Sequence, residues 1–249
     1  MHELFLSMDL NRCRGILRKH RMPYVRKLGS ISHFCVWLVD GEYVRKNICE
    51  DFVNYDHHGH LRFIPHGEFW ISSGTAVAEI PFYIDRMLME SRLLASGRSI
   101  KEASRIAARA ERAERGKSEH LRKLQECMSR RNEVISRVHK RLLRSYSRGI
   151  KVWVVDGEAV RDLLMVDFAG GGHDKVYRFV PEGEIWIDDA ISPRERRFLV
   201  LHEAHERWLM AAGRSYREAH WSATELEDYF RHHPLMTDKA VRKEIEKQS

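Results

Sequence analysis

The sequence predicts an α+β protein in which one small unit is used twice, each copy a short β-sheet followed by a helical hairpin, with a long basic helix joining the copies. Three observations carry that expectation. First, "VWLVDGEYVR" at 36 recurs as "VWVVDGEAVR" at 152, and the correspondence runs without a gap at an offset of 116 residues through Glu111 and Glu227, with 30 identities in 76 aligned positions. So dense a match at constant spacing marks a duplication. Second, within each copy short alternating apolar segments give way to stretches with apolar residues every three or four positions, the change from strand to helix period. Third, the charge is uneven: residues 1–35 sum to +5 and 98–150 to +10, while 36–97 and 151–249 are each −4. The chain therefore divides into a basic N-terminal segment (1–35), a first repeat (36–114), a basic helical linker (115–150), a second repeat (151–231) and a charged tail (232–249).

Taken in order, "VWxVDGExVR" alternates about an Asp-Gly pair, the dipeptide of tight hairpin turns, and predicts two strands. "RFIPHGEFWIS" and "RFVPEGEIWID" predict a further strand or pair of strands interrupted at Pro65 and Pro181. Helices follow at 77–95 and 99–114, and again at 193–211 and 215–231. Gly97 and Gly213 are placed to end the first helix of each pair, Ser99 and Ser215 to cap the second. The linker carries Leu121, Leu124, Met128, Ile135, Val138 and Leu142 on one stripe, interrupted by Arg131. That stripe suits a long helix packing on the protein's own units or, equally, across a homodimer.

Composition excludes several classes. At 249 residues and 43% hydrophobic content the chain can form real cores. No apolar run approaches the ~20 residues of a membrane span and the N-terminus lacks a secretory signal, so the expectation is a cytoplasmic protein without a membrane partner. Cys13, Cys35, Cys49 and Cys127 form no CxxC pair, which indicates neither a disulfide framework nor a thiolate zinc site. "AGGGHDK" lacks the spacing of a phosphate loop, and no Gly-x-Ser-x-Gly elbow is present. The basic stretch 98–150 suits nucleic acid or an acidic partner, with Arg130, Arg131 and Lys140 as contacts, although solvated Lys and Arg on an exposed helix read the same way. "YDHHGH" at 55–60 reads as a solvated loop.

The segment "LHEAHERWLMAAGRSYREAH" at 201–220 points most directly to chemistry. At about 100° per residue, Glu203 and Arg207 project toward solvent, whereas His202, His205 and Glu206 fall among Leu201, Trp208 and Leu209. Ionisable groups turned inward need partners or a metal. His202 and Glu206 stand at i and i+4, and His220 on the next helix can supply a third ligand across the hairpin. Three ligands would leave an open position for a water whose proton Glu203 could take as general base. Zinc fits such a set, as do Fe(II) and Mn(II). His205 and His173 are additional candidates, His173 as ligand or proton carrier.

This helix resembles the HExxH helix of zinc metallopeptidases, with His202 and Glu203 in the first two positions and Glu206 where those enzymes have their second histidine. More broadly, "FVPEGEIWID", "LHEAHERWLM" and "GRSYREAH" resemble a group of small bacterial and phage proteins with a similar strand and histidine-glutamate helix, covering 152–227 well and 36–111 more weakly. That resemblance implies a shared fold and brings no established activity. The metallopeptidase likeness implies a metal-dependent hydrolase, and the competing reading is a non-catalytic module that binds nucleic acid or protein through the linker.

The first copy is an internal control. Arg86, Met87, Met89 and Ser104 stand opposite His202, Glu203, His205 and His220, while Glu90 matches Glu206. One active and one degenerate unit would give this pattern, and so would drift at tolerant positions. His57 and His173, Glu68 and Glu184, Trp70 and Trp186, and Asp51 and Asp167 are identical pairs, for which a structural role is the economical explanation.

Overall fold

A computed structural model describes residues 22–117 and 131–248. The chain forms two compact units, Met1–Arg122 and Lys123–Ser249. In the first, β1 (Tyr24–Ile31), β2 (Phe34–Val39), α1 (Gly41–Asn47), β3 (Tyr55–His57) and β4 (Glu68–Ser72) precede the helical hairpin α2 (Ile80–Ala95) and α3 (Ile100–Arg115). In the second, α4 (Arg131–Val138), β5 (His139–Leu142), β6 (Lys151–Val155), α5 (Gly157–Leu163), β7 (Gly171–His173) and β8 (Glu184–Asp188) lead to α6 (Arg196–Ala211) and α7 (Tyr216–His232), with α8 (Thr237–Glu246) after them. The expected α+β duplication is present. The sheets run β1-β2-β4-β3 and β5-β6-β8-β7, each with a parallel central pair between antiparallel neighbours and the same register, Trp37 opposite Trp70 and Trp153 opposite Trp186.

The parallel pair explains why the Asp-Gly step is not a hairpin turn. Parallel neighbours need a crossover, and Asp40 and Asp156 begin it by capping α1 and α5. Each side chain accepts a backbone N–H at 3.0 Å, from Tyr43 and Ala159 respectively. The glycine follows from crowding: a Cβ on Gly41 would lie 2.3 Å from Ser72 Oγ, and one on Gly157 2.2 Å from Asp188 Oδ1. Pro65 and Pro181 sit in turns ahead of β4 and β8, whose first residues donate back to the proline carbonyls at 3.2 and 3.1 Å. "YDHHGH" is not a solvated loop, because its first three residues are β3 and His57 is buried.

Two more strands, β1 and β5, come from stretches that look merely basic. Both are edge strands, where outward Lys and Arg discourage pairing with other chains and mask the apolar alternation. The described part of the linker is accordingly helical only to Val138, and Leu142 lies in β5. Ile135 and Val138 pack into the core of the second unit with Val155, Val160, Phe168 and Trp186. The rest of the proposed linker helix, with Arg130, lies outside the described residues, as does the Arg131 side chain.

Each sheet is covered on both faces. In the first unit Val36, Phe69 and Ile71 meet Tyr83 and Met87 of α2. On the other face Val39 and Trp70 pack with Val44, Phe52, Leu61 and Phe63, from α1 and the loops that follow it. The hairpins form as expected: Ser99 and Ser215 make capping boxes with Glu102 and Glu218, and Gly97 and Gly213 adopt φ of 86° and 89° just past the preceding helix. Among the described residues no helix is long and apolar enough to cross a membrane.

The crowding at Gly157 can be tested. Asp188 is fully buried and tied to Arg161 at 2.6 Å, so Gly157→Ala has no easy relaxation and should cost about 1–3 kcal/mol in denaturant unfolding. Gly41→Ala should cost less, since its nearest neighbour, the Ser72 hydroxyl, can rotate away, leaving Arg45 Nη1 and Ser72 Cβ at 3.1 Å.

Candidate metal centre

Helix α6 packs on β7 and β8, on α7 and on α8, so no side of it is a simple solvent face. A helical projection with one buried stripe fails here. Arg207 is buried and donates to Asp174 at 2.7 and 3.0 Å and to Gln248 at 2.8 Å. Glu203 lies against β7, where a Cβ on Gly171 would come within 2.9 Å of its Oε1. Both corrections have the same cause, a helix enclosed on several sides.

Glu206 is the centre of the arrangement. Its Oε2 lies 2.7 Å from His220 Nδ1 and 3.6 Å from His202 Nε2, and those two nitrogens are 3.2 Å apart. The three residues picked from the spacing thus converge on one point from α6 and α7. His205 does not join them: its Nδ1 and Nε2 are each 3.0 Å from partners elsewhere, Glu244 Oε2 and Ser222 Oγ. Lys140 is engaged as well, 2.5 Å from Asp189 and 3.3 Å from Asp156.

The back of the cluster is held in place. His173 Nδ1 accepts the Lys175 N–H at 3.2 Å, so its proton sits on Nε2, 3.0 Å from Glu206 Oε1. His173 therefore orients the carboxylate, although it also lies close to Glu203 and Glu206 as a candidate ligand group. His202 Nδ1 lies 2.9 Å from Glu227 Oε2, the carboxylate–imidazole pairing that turns the opposite nitrogen toward a metal. Glu227 is in turn held by Arg231 at 2.7 Å, and Arg231 by Glu195 at 2.8 Å.

Electrostatics follow the geometry. Burial alone would raise the Glu206 pKa, but hydrogen bonds from His173, His202 and His220 hold it well below the ordinary value. Burial would lower that of His202, yet the two carboxylates flanking it keep it well above its usual range. Glu227 is lowered to about 2 by Arg231 and His202 against its burial. Glu203 goes the other way, pushed up to about 8 by burial and by the charge of Glu206.

The first unit builds the same frame around a different centre. His57 Nε2 meets Glu90 at 3.2 Å while Gly59 N–H donates to its Nδ1, and Arg115 joins Glu111 and Glu79 at 2.9 and 2.7 Å. In the place of His202, Arg86 bridges Glu90 and Glu111 at 3.2 and 3.1 Å. Met87 is buried where Glu203 stands. Ser104, in the place of His220, meets His60 Nε2 at 3.1 Å. Asp56, His57 and His60 lie close enough to hold an ion, but both nitrogens of each histidine already have partners, those of His60 being Ser104 and, at 3.1 Å, Asp56.

The supporting residues Glu195, Glu227 and Arg231 were not singled out from the sequence. A signal for them was present: with Glu79, Glu111 and Arg115 they are charged pairs identical at the same offset, and buried charge that persists in both copies implies pairing. Comparison with protein-family models, curated proteins and solved structures finds no match, so the chemistry rests on the geometry.

Two measurements probe this frame. Arg231→Ala would strand Glu195 and Glu227 in the interior and should cost about 3–5 kcal/mol in unfolding free energy. The Glu90 pKa is about 2 against an ordinary 4.5, held down by His57, Arg86 and His60 despite burial. Its stabilisation is therefore complete above pH 4.5 and lost as pH falls toward 2. Glu90→Gln should flatten the loss of stability across that window, followed by circular dichroism during acid titration.

Proposed function

We propose that the second unit binds one divalent metal ion through His202, Glu206 and His220 and acts as a metal-dependent hydrolase, with Glu203 as general base. The observation that carries this reading is the mutual approach of the three ligand atoms at 3.2, 3.6 and 2.7 Å. A tetrahedral ion with bonds of roughly 2.0–2.1 Å holds its ligands about 3.3–3.4 Å apart, so shifts of a fraction of an ångström suffice. Zinc is the first candidate, and two imidazoles with one carboxylate also suit Fe(II) or Mn(II).

Charge supports the same reading. Relative to the first unit, the second replaces the guanidinium of Arg86 by His202 and the apolar Met87 by Glu203. That exchange removes a fixed positive charge and adds an ionisable carboxylate beside Glu206, and a divalent cation there would take the place of the protons that His202 and Glu203 otherwise hold. The ion would activate a water at its open position. Glu203, which lies close to Glu206 and His173, would accept that water's proton. The order His202-Glu203 and its likeness to the metallopeptidase helix make peptide bonds the first substrate class to try.

Protein purified without an affinity tag should carry near-stoichiometric zinc, iron or manganese by elemental analysis. His202→Arg, which copies the first unit, should stay folded and lose the metal. Glu203→Gln should keep the metal and slow peptide hydrolysis by roughly 10²–10⁴-fold. A metal-free wild type whose melting temperature is indifferent to chelator would end this reading.

A further inference from the structure

Thr224 presents a problem that the ligand set does not explain. It is 9% exposed, and its Oγ1 is buried with no hydrogen-bond partner among the described residues. Proteins rarely leave a buried hydroxyl unsatisfied, and where they do a water or ion is the usual explanation. The fold does not need the hydroxyl, since the first unit has buried Ala108 at the matching position.

Its place in the helix ties it to the metal centre. Thr224 is four residues after His220 and three before Glu227, so all three share one face of α7. Those flanking residues grip the two ends of a single imidazole: His202 Nε2 is 3.2 Å from His220 and His202 Nδ1 is 2.9 Å from Glu227. Thr224 therefore shares the face of α7 from which His220 and Glu227 reach His202.

We propose that Thr224 is a positioning residue whose hydroxyl hydrogen-bonds the water completing the coordination of an ion held by His202, Glu206 and His220. The proposal rests on the metal-binding reading above. Three protein ligands leave the fourth position to water, and such a water has protons to donate and a lone pair to offer beyond its bond to the ion. Thr224 Oγ1 supplies the partner, and the occupied site in turn satisfies the hydroxyl.

The test uses zinc alone, without a substrate, on the full chain and its Thr224→Val, Thr224→Ala and Thr224→Ser variants. Affinity is read by competition with a chelating dye and stability by thermal unfolding with and without zinc. Valine keeps the shape and removes the hydroxyl, and alanine copies the first unit. Without zinc, Thr224→Val should melt at or above wild type, because an unsatisfied group has gone. It should bind zinc about three- to tenfold more weakly, Thr224→Ala likewise, and Thr224→Ser should recover affinity to within about twofold. Equal zinc affinity in wild type and the valine variant would overturn the proposal, as would a melting temperature lowered by the same amount with and without zinc. Failure of wild type to bind zinc, iron or manganese would instead remove the metal site, and this inference with it.

Discussion

Two glutamates on adjacent helices, buried against one another, are the constraint around which each unit is organised. Glu90 faces Glu111 across the first hairpin and Glu206 faces Glu227 across the second, all four almost wholly removed from water. Carboxylates so placed are costly unless cations and hydrogen-bond donors lie among them. The first unit meets the demand with Arg86, which reaches both glutamates at once. The second places His202 in the same gap, touching Glu206 through one nitrogen and Glu227 through the other. Everything behind that gap is shared: a histidine from the edge strand of the sheet, and an arginine clamped between the hairpin glutamate and another at the start of the first helix.

That constraint also explains what the sequence disclosed. The hairpins were legible because their signals are local, a glycine at one helix end and a serine three residues before a glutamate at the next start. His202, Glu206 and His220 were legible because helical spacing puts the first two on one face and a short hairpin brings the third opposite. Glu203 and Arg207 were misplaced because periodicity distinguishes one buried stripe from one exposed face, whereas α6 is enclosed by the sheet, α7 and α8. The Asp-Gly step misled for a different reason. The same dipeptide serves a hairpin turn or a helix start, and only the strand order, which no local pattern encodes, decides between them.

The networks around Glu227 and Glu111 were hidden because they depend on how one helix is registered against its partner. Arg231 is a turn beyond Glu227 and looks like an ordinary surface pair at i, i+4; its second partner, Glu195, is 36 positions away. Burial changes the meaning of such a pair. An exposed one contributes little, while one enclosed with two glutamates is a fixed part of the fold whose loss leaves charge stranded.

Drift and function predict different patterns where the two copies differ. Drift at tolerant positions changes residues over the hairpin without regard to one another, and most hairpin positions do differ between the copies. Three of the differences, Arg86 and His202, Met87 and Glu203, and Ser104 and His220, fall around one carboxylate that both copies keep. They are also linked electrostatically. A glutamate set beside Glu206 is pushed toward its neutral form, and the imidazole that replaces a permanently charged guanidinium is kept protonated by the two carboxylates flanking it. Residues that share Glu206 as a partner are not expected to contribute additively. A divalent ion between the two imidazoles and the carboxylate, as we propose, would take the place of those protons and make the three changes serve one purpose.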